Sequence, residues 1–485
     1  MKKIYLFIFT LIIILCIVFF FGEQLSKFQP VSYLSYQDLI KLSYQTKINK
    51  NLYLKLEKQL NTPYVVNKGQ RLESKGQKSY LRIAQWNIAR GTNINAIKYA
   101  FSNPSGYYYN YKKNIKLEEE KFKKELNDFV TSDIISLNEA DIGIPRTNYK
   151  NIVSEIANEL NYNYAFATEF VELTPIIYKQ PVDPKQYLGL HGNAILSKYP
   201  IISSRVIRLP ECYKWFETEI SRKSPLEYGR RYGAQSVFNV HIKNEPRRGT
   251  RCALITDIQL PNKEIITVVS THLEDRCYPP CRLKQVKYLL ENLKYLRRPV
   301  VIAGDFNTTT SDTAPTSVKK EVTKRLKDPH FIARQIALFF LFPIGPLGVG
   351  NLAAGIVNGI SHYKDPAVPS IPVLFPNKER QLFMYLKDFH FNDGEGFDFR
   401  GDSKRSSNGK GGLLANSNER QLKGFESTFR FAKPMGIAYY KLDWFFAKPQ
   451  NKRFEPFNGM TLKLVNEACP GRISDHDPIT VDLSL

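Results

Sequence analysis

The sequence predicts a mixed α/β (α+β) domain, and three observations carry that prediction. Short apolar, β-branched runs of strand length recur along the chain. Stretches of helical periodicity fall between several of them. The runs end in polar residues able to do chemistry. The chain has 485 residues, room for one large domain with insertions or for two or three average ones. Hydrophobic residues make up 43%, which affords a sizeable core and argues against wholesale disorder.

Taken in order, Met1-Lys2-Lys3 precede an apolar run at 4–21 with Thr10 as its polar interruption. At about 1.5 Å per residue that run is about 27 Å long, near the thickness of bilayer hydrocarbon. A cleaved signal peptide is the competing reading. It usually has an apolar region of about 7–15 residues and a small-x-small site, and Phe19-Phe20-Phe21-Gly22-Glu23 offers none. Residues 1–22 are therefore expected to be an uncleaved transmembrane anchor. Lys2 and Lys3 would stay in the cytoplasm and the single-pass chain would lie outside it. Residues 23–80 read as a polar, Tyr- and Lys-rich stem without chemistry. It holds one short helix near 52–60, stopped at Asn61-Thr62-Pro63, and a linker after Lys68.

From residue 81 the pattern is that of the domain. Residues 81–88 alternate as a strand that ends near Asn87, and 116–130 carry helical periodicity. Ile134-Ile135-Ser136-Leu137-Asn138-Glu139 is a second strand with a carboxylate at its end. A helix at 151–160 and a strand at 192–197 follow. Residues 205–246, rich in Arg and Tyr, read as an insertion. Residues 252–260 and 265–270 form a hairpin over Pro261-Asn262-Lys263, and its second arm runs into Thr271-His272-Leu273-Glu274. A helix at 282–296 leads to the strand Val300-Val301-Ile302-Ala303, closed by Gly304-Asp305-Phe306-Asn307. Side chains alternate along extended chain, so Asp305 and Asn307 point one way and Phe306 points back into the core. A second insertion spans about 312–440. Within it, 332–360 carry one charge, Arg334, and are broken by Pro343 and Pro346. This apolar segment either packs on the domain or is a loop that touches a membrane. The chain closes with Leu442-Asp443-Trp444, then Ser474-Asp475-His476-Asp477-Pro478 and an alternating strand at 480–485.

Net charge is +23 and the pI is near 9.5, which suits an anionic partner: nucleic acid, acidic lipid or a phosphorylated substrate. The charge is spread along the chain, so it does not by itself single out nucleic acid. Of six cysteines, Cys16 lies in the apolar run. The remaining five are an odd number, so at least one stays free if the others pair. Cys277 and Cys281 have no matching His/Cys pair nearby, which argues against zinc. One or two disulfides are expected if the domain lies outside the cytoplasm.

The polar residues at the strand ends are Asn87, Glu139, His272, Asp305, Asn307, Asp443, Asp475 and His476. Each alone has a bland account as a turn, a cap or a satisfied core histidine. Jointly, and in this order, "GNAILS", "THLE", "GDFN", "LDW" and "SDHDP" resemble the endonuclease/exonuclease/phosphatase superfamily, over about residues 80–485. The resemblance implies a four-layer sandwich, two packed, mostly antiparallel sheets with helices outside, and a site at one edge of both sheets. It implies Glu139 as main ligand of Mg2+ or Mn2+, with Asn87 and Asp475 beside it. It implies a metal-dependent phosphodiesterase or phosphatase in which His476, oriented by Asp443, or else Asp305, deprotonates the attacking water. Asp305 and Asn307 would position water and phosphate, and His272 would neutralise a phosphoryl oxygen as a cation or as a donor. Arg248 is a weaker phosphate-binding candidate. Lipid headgroup and nucleic acid both stay open as substrates, and a non-catalytic protein that retains the fold is the reading from another class.

Overall fold

The computed structural model describes residues 33–45, 47–68, 79–114, 118–221, 244–307, 380–398, 425, 428–430 and 439–485. The strands, in chain order, are β1 (Tyr64–Val66), β2 (Tyr80–Arg90), β3 (Ile134–Ile142), β4 (Asn163–Glu172), β5 (Leu190–Ser197), β6 (Ile201–Arg208), β7 (Arg247–Gly249), β8 (Cys252–Gln259), β9 (Ile265–His272), β10 (Val300–Asp305), β11 (Phe429–Arg430), β12 (Tyr439–Tyr440), β13 (Asp443–Lys448), β14 (Pro456–Thr461) and β15 (Ile479–Ser484). The helices that matter below are α1 (Tyr36–Tyr44), α2 (Lys50–Asn61), α3 (Glu119–Val130), α4 (Ile152–Leu160), α5 (Trp215–Ser221), α6 (Pro279–Leu293) and α7 (Arg380–Asp388).

One sheet runs β1-β4-β5-β3-β2-β15-β14, with β7 also paired to β4; the other runs β13-β10-β9-β8-β6. The pairs β2–β3 and β9–β10 are parallel, and the other pairs in these two sheets are antiparallel. The sheets pack face to face. Leu81, Ile83, Ile134 and Ile195 meet Leu254, Val268, Val301 and Phe445 in the layer between them. On the outer face of the first sheet, Trp86, Leu137 and Phe166 pack with Phe122 and Phe129 of α3 and Ile156 of α4. On the outer face of the second, Ile302, Trp444 and Phe446 pack with Leu289 and Leu290 of α6 and Phe383 of α7. The result is helix, sheet, sheet, helix, as expected from the sequence. Strand β10 shows why its sequence reads as an unbroken apolar run: Val301 and Ala303 enter the inner layer while Val300 and Ile302 enter the outer one.

Within the expected stem, the described residues 33–45 and 47–68 pack as part of the domain, and the short helix expected near 52–60 is present as α2; residues 23–32 and the linker at 69–78 lie outside the described residues. Ser35 and Asp38 form a capping box on α1, and the Asn49 side chain caps α2. Leu39, Leu42, Leu52, Leu56 and Leu60 are buried in the outer core of the first sheet. Tyr64, Val65 and Val66 then pair with β4 and close that sheet's edge. The polar composition of this stretch belongs to the outer faces of two amphipathic helices, with the leucines turned inward. Among the described residues no helix is long and apolar enough to cross a membrane. The anchor expected at 4–21 and the apolar segment at 332–360 lie outside the described residues. Of the cysteines, Cys212 and Cys281 form a disulfide with their Cα atoms 5.9 Å apart, and Cys252, Cys277 and Cys469 are not so bonded.

Candidate active site

Strand register assembles half of the site before any side chain is considered. Asp305, the last residue of β10, lies opposite His272 on its parallel neighbour β9 and opposite Asp443 on its antiparallel neighbour β13. Three chemical groups thus stand abreast at one end of the second sheet. Gly304 permits this closeness, since a Cβ there would lie 1.8 Å from the Thr271 carbonyl oxygen. Asn307 leaves the strand in the left-handed region (φ 46°), which asparagine tolerates better than most residues. Phe306 packs into the outer core as alternation requires.

The first sheet contributes from the facing side. β2 and β3 both bulge near the site: their register shifts between Asn87 and Arg90, and that of β3 with β5 between Leu137 and Ala140. Glu139 sits in the bulge at φ 55°, a strained backbone for a glutamate. Asn87 Nδ2 donates to Glu139 Oε1 at 3.2 Å and to Asp305 Oδ2 at 3.0 Å, joining the two sheets across the site.

His476 arrives on the closing loop. Its backbone carbonyl accepts from Trp86 Nε1 at 2.8 Å and from Asn466 Nδ2 at 2.9 Å, which pins the loop to the first sheet. Its Nδ1 lies 2.8 Å from Asp443 Oδ2, and its Nε2 faces Asp305 Oδ2 at 3.6 Å. His272 Nε2 faces the same Asp305 oxygen at 3.5 Å. Asp305 Oδ2 is therefore the common point of Asn87, His272 and His476, while Asp305 Oδ1 accepts from Asn307 N at 2.9 Å.

The electrostatics follow from this crowding. Burial, opposed by the His476 charge and reinforced by Asp443, pushes the Asp305 carboxyl up to about 7. Burial disfavours a charged His476, yet Asp443 and Asp305 outweigh it and hold the imidazole well above its usual range. Burial and the Arg251 charge together push His272 well below that range. Glu139 is lowered despite its burial, because His191, Arg90 and His476 lie around it.

Seven of the nine residues singled out from the sequence thus converge: Asn87, Glu139, His272, Asp305, Asn307, Asp443 and His476. Asp475 adjoins them on the surface, exposed, with its carboxylate 3.4 Å from Ser474 Oγ. Arg248 is a correction. It is buried on β7, donates to the Leu42 and Gln45 carbonyls at the end of α1, and stacks 3.3 Å over Phe216. Its charge is spent on helix docking.

Sequence reasoning missed the groups beneath the site. Asn138 Oδ1 accepts from Asp305 N at 2.9 Å and from Gln85 Nε2 at 2.7 Å, while its Nδ2 donates to Asn193 Oδ1 at 2.7 Å and to the Thr271 carbonyl at 3.2 Å. Ser136 and Ser270 hydroxyls bond across the sheets at 2.8 Å. Arg251 donates to His272 Nδ1 at 2.8 Å. The available signals were polar residues inside the strand runs, Ser136 and Asn138 above all. An inward polar residue in an apolar strand implies a buried partner.

The donor chemistry fits a hard divalent cation at Glu139. That carboxylate is held ionised, is partly exposed, makes no ion pair among the described residues and has the Asn87 amide beside it. Asp305, Asp443 and His476 form a tighter group, with ligand atoms within 4.8 Å of one another. There, however, Asp443 Oδ2 is already engaged by His476 Nδ1. A cation in that place would have to displace a proton held by a carboxylate, so Glu139 is the better-suited residue.

Two sheets packed face to face, with acids, amides and imidazoles gathered at their common end, define a hydrolase-type scaffold with its site on the sheet edges. The chain belongs to the Endonuclease/Exonuclease/phosphatase family, whose sequence model matches residues 84–476, and members of this family are phosphoester hydrolases. No curated protein matches the chain. Among solved structures it is similar to an endonuclease/exonuclease/phosphatase from Beutenbergia cavernae, at 14% identity, 84% of this chain, 72% of that one and a TM-score of 0.41. It is also similar to the human Nocturnin catalytic domain with bound sulfate (14%, 86% and 99%, TM-score 0.37) and to truncated Caenorhabditis elegans TDP2 (11%, 84% and 98%, TM-score 0.36).

Proposed function

We propose that the protein is a divalent-metal-dependent hydrolase of a phosphodiester or phosphomonoester, held at a membrane by its apolar segment at 4–21. The observation that supports it most is the meeting of Asn87, His272 and His476 around the single oxygen Asp305 Oδ2, with Glu139 beside Asn87 and Asp443 behind His476.

Glu139, with Asn87 and Asp475 near it, would hold Mg2+ or Mn2+. The ion supplies Lewis acidity toward a phosphoryl oxygen and charge stabilisation at the leaving oxygen. The chain's own residues do the rest. A water beside Asp305 Oδ2 would give its proton to that carboxylate, while His476, held as a cation, faces the same oxygen through Nε2 and stabilises the charge on it. Asp443 fixes the imidazole by its Nδ1–H and balances its charge. Asn87 and Asn307 aim the Asp305 carboxylate by donating to its two oxygens. His272 faces the same point and donates to a phosphoryl oxygen of the substrate. The apolar run supports a lipid headgroup as substrate; the +23 net charge suits an anionic lipid and nucleic acid equally.

Full-length protein is to be assayed with bis-p-nitrophenyl phosphate, sphingomyelin, phosphoinositides and plasmid DNA, with and without chelator. At least one should be hydrolysed with Mg2+ or Mn2+ present, and chelator should stop it. Activity indifferent to chelator and to His476→Ala would refute the proposal, and inertness toward the whole panel would favour a non-catalytic binding role.

A further inference from the structure

We propose that Asn466 is a positioning residue that shapes the loop at 473–477 and thereby holds His476 in place against Asp305. A primary amide offers two lone pairs at its oxygen and two hydrogens at its nitrogen. Both ends of Asn466 meet the loop. Its Oδ1 accepts from Ile473 N at 3.1 Å and from Ser474 N at 2.9 Å. Its Nδ2 lies 2.9 Å from the Ser474 carbonyl, 2.9 Å from the His476 carbonyl and 2.6 Å from Asp477 Oδ1. Backbone N–H groups donate and backbone carbonyls accept, so these contacts admit one orientation of the amide.

Residues 473–477 belong to no helix or strand, so side-chain bonds must set their shape. The Asn466 side chain is buried, and losing it would leave several polar groups of the loop without a partner. Its own support comes from the outer layer. Asn466 stands on the short helix Lys463–Glu467. In that helix Leu464 N donates to Glu125 Oε2 on α3 at 2.6 Å, and the Val465 carbonyl accepts from the Tyr107 hydroxyl at 2.7 Å.

His476 is thus gripped at two points. Asp443 of the second sheet holds its ring, and Asn466 with Trp86 holds its backbone carbonyl. A small shift of that carbonyl would carry Nε2 away from Asp305 Oδ2, and misplacement by about 1 Å can cost a hundred-fold in rate. Asn466 acts only through the loop. The catalytic consequence rests on the hydrolase reading above, whereas the seating of the loop is a property of the resting protein.

The test uses full-length protein with 15N-labelled indoles at its three tryptophans. The Trp86 signal is identified by its loss in Trp86→Phe. It reports the seat of the loop, because Trp86 Nε1 shares the His476 carbonyl with Asn466. Trp215, whose Nε1 donates to Glu274 Oε2 at 2.9 Å, is the control. In Asn466→Ala the Trp86 signal should shift and its hydrogen exchange faster, with Trp215 unmoved. Turnover of bis-p-nitrophenyl phosphate should fall about ten- to a hundred-fold in kcat with little change in KM. Asn466→Asp fills the same space but sets a carboxylate against two carbonyls and Asp477, and should lose at least as much. An Asn466→Ala variant with wild-type kcat or an unmoved Trp86 signal overturns the proposal. So does a Trp215 signal that moves as far as that of Trp86, the mark of a general structural role. If Asn466→Ala does not fold, Asn466→Asp decides by the same readouts. In the wild type the Trp86 indole hydrogen should exchange slowly; exchange at the rate of a free indole overturns the proposal whatever the variants do. Inactivity on every phosphate ester counts against the hydrolase reading alone, because the indole signals report the loop separately.

Discussion

Asp305 is where the residue-scale chemistry concentrates, and its environment sets the expected pH dependence. A base must be ionised to accept a proton, and burial places this carboxyl near 7. The ionised fraction therefore grows as pH rises to that value, and kcat should climb about tenfold per unit below it and level off above. In Asp305→Asn the residual rate should lose that inflection; a profile unchanged by the substitution would remove Asp305 from the proton transfer. His476→Ala should lower kcat by about a hundred- to ten-thousand-fold, measured with metal at saturation. These residues were legible in the sequence because acids, amides and histidines at strand ends are conspicuous and came in a familiar order. Arg251 was not. It follows Arg247 and Arg248 within four positions, and only pairing of the strands shows which guanidinium meets His272.

At the scale of elements, β10 and α1 make contrasting predictions. Gly304→Ala should cost about 3 kcal/mol or more in urea unfolding, because β9 backbone occupies the space a methyl group needs. Arg248→Ala should cost about 1–3 kcal/mol, by leaving the α1 carbonyls without their donor, and should leave kcat and KM nearly unchanged. A phosphate-binding arginine would give the opposite result, so the pair of measurements separates the two roles. Strands β2, β3, β5, β8, β9, β10 and β15 were all legible from alternation or apolar runs. The stem was misread because its leucines, spaced for a helix face, are outnumbered by polar residues. Nothing local announces that β1 will pair with a strand about a hundred residues away.

For the whole molecule, the Cys212–Cys281 bridge closes a loop of 69 residues in sequence separation. Chain entropy assigns such a loop about 4 kcal/mol, so replacing both cysteines by serine should lower unfolding stability by about 2–4 kcal/mol. Hydrolysis of a nucleic acid should weaken steeply with added salt, whereas hydrolysis of a lipid in a neutral bilayer should not; the salt slope of KM measures the difference. The layered architecture was legible because alternating strands and helices leave few ways to bury their faces. Of the polar seam between the sheets only Ser136 and Asn138, polar residues inside strand runs, were hinted at; its pairings were not legible, since its members are far apart in the chain. That seam has a mechanical consequence. Asn138, Ser136, Ser270 and Asn193 are buried and bonded to one another or to backbone across what would otherwise be an oily, slippery contact. Sliding one sheet along the other would strand each of these groups without a partner and without water. The two halves of the catalytic centre are thus riveted into a single anvil. The platform beneath the candidate site is thereby held still.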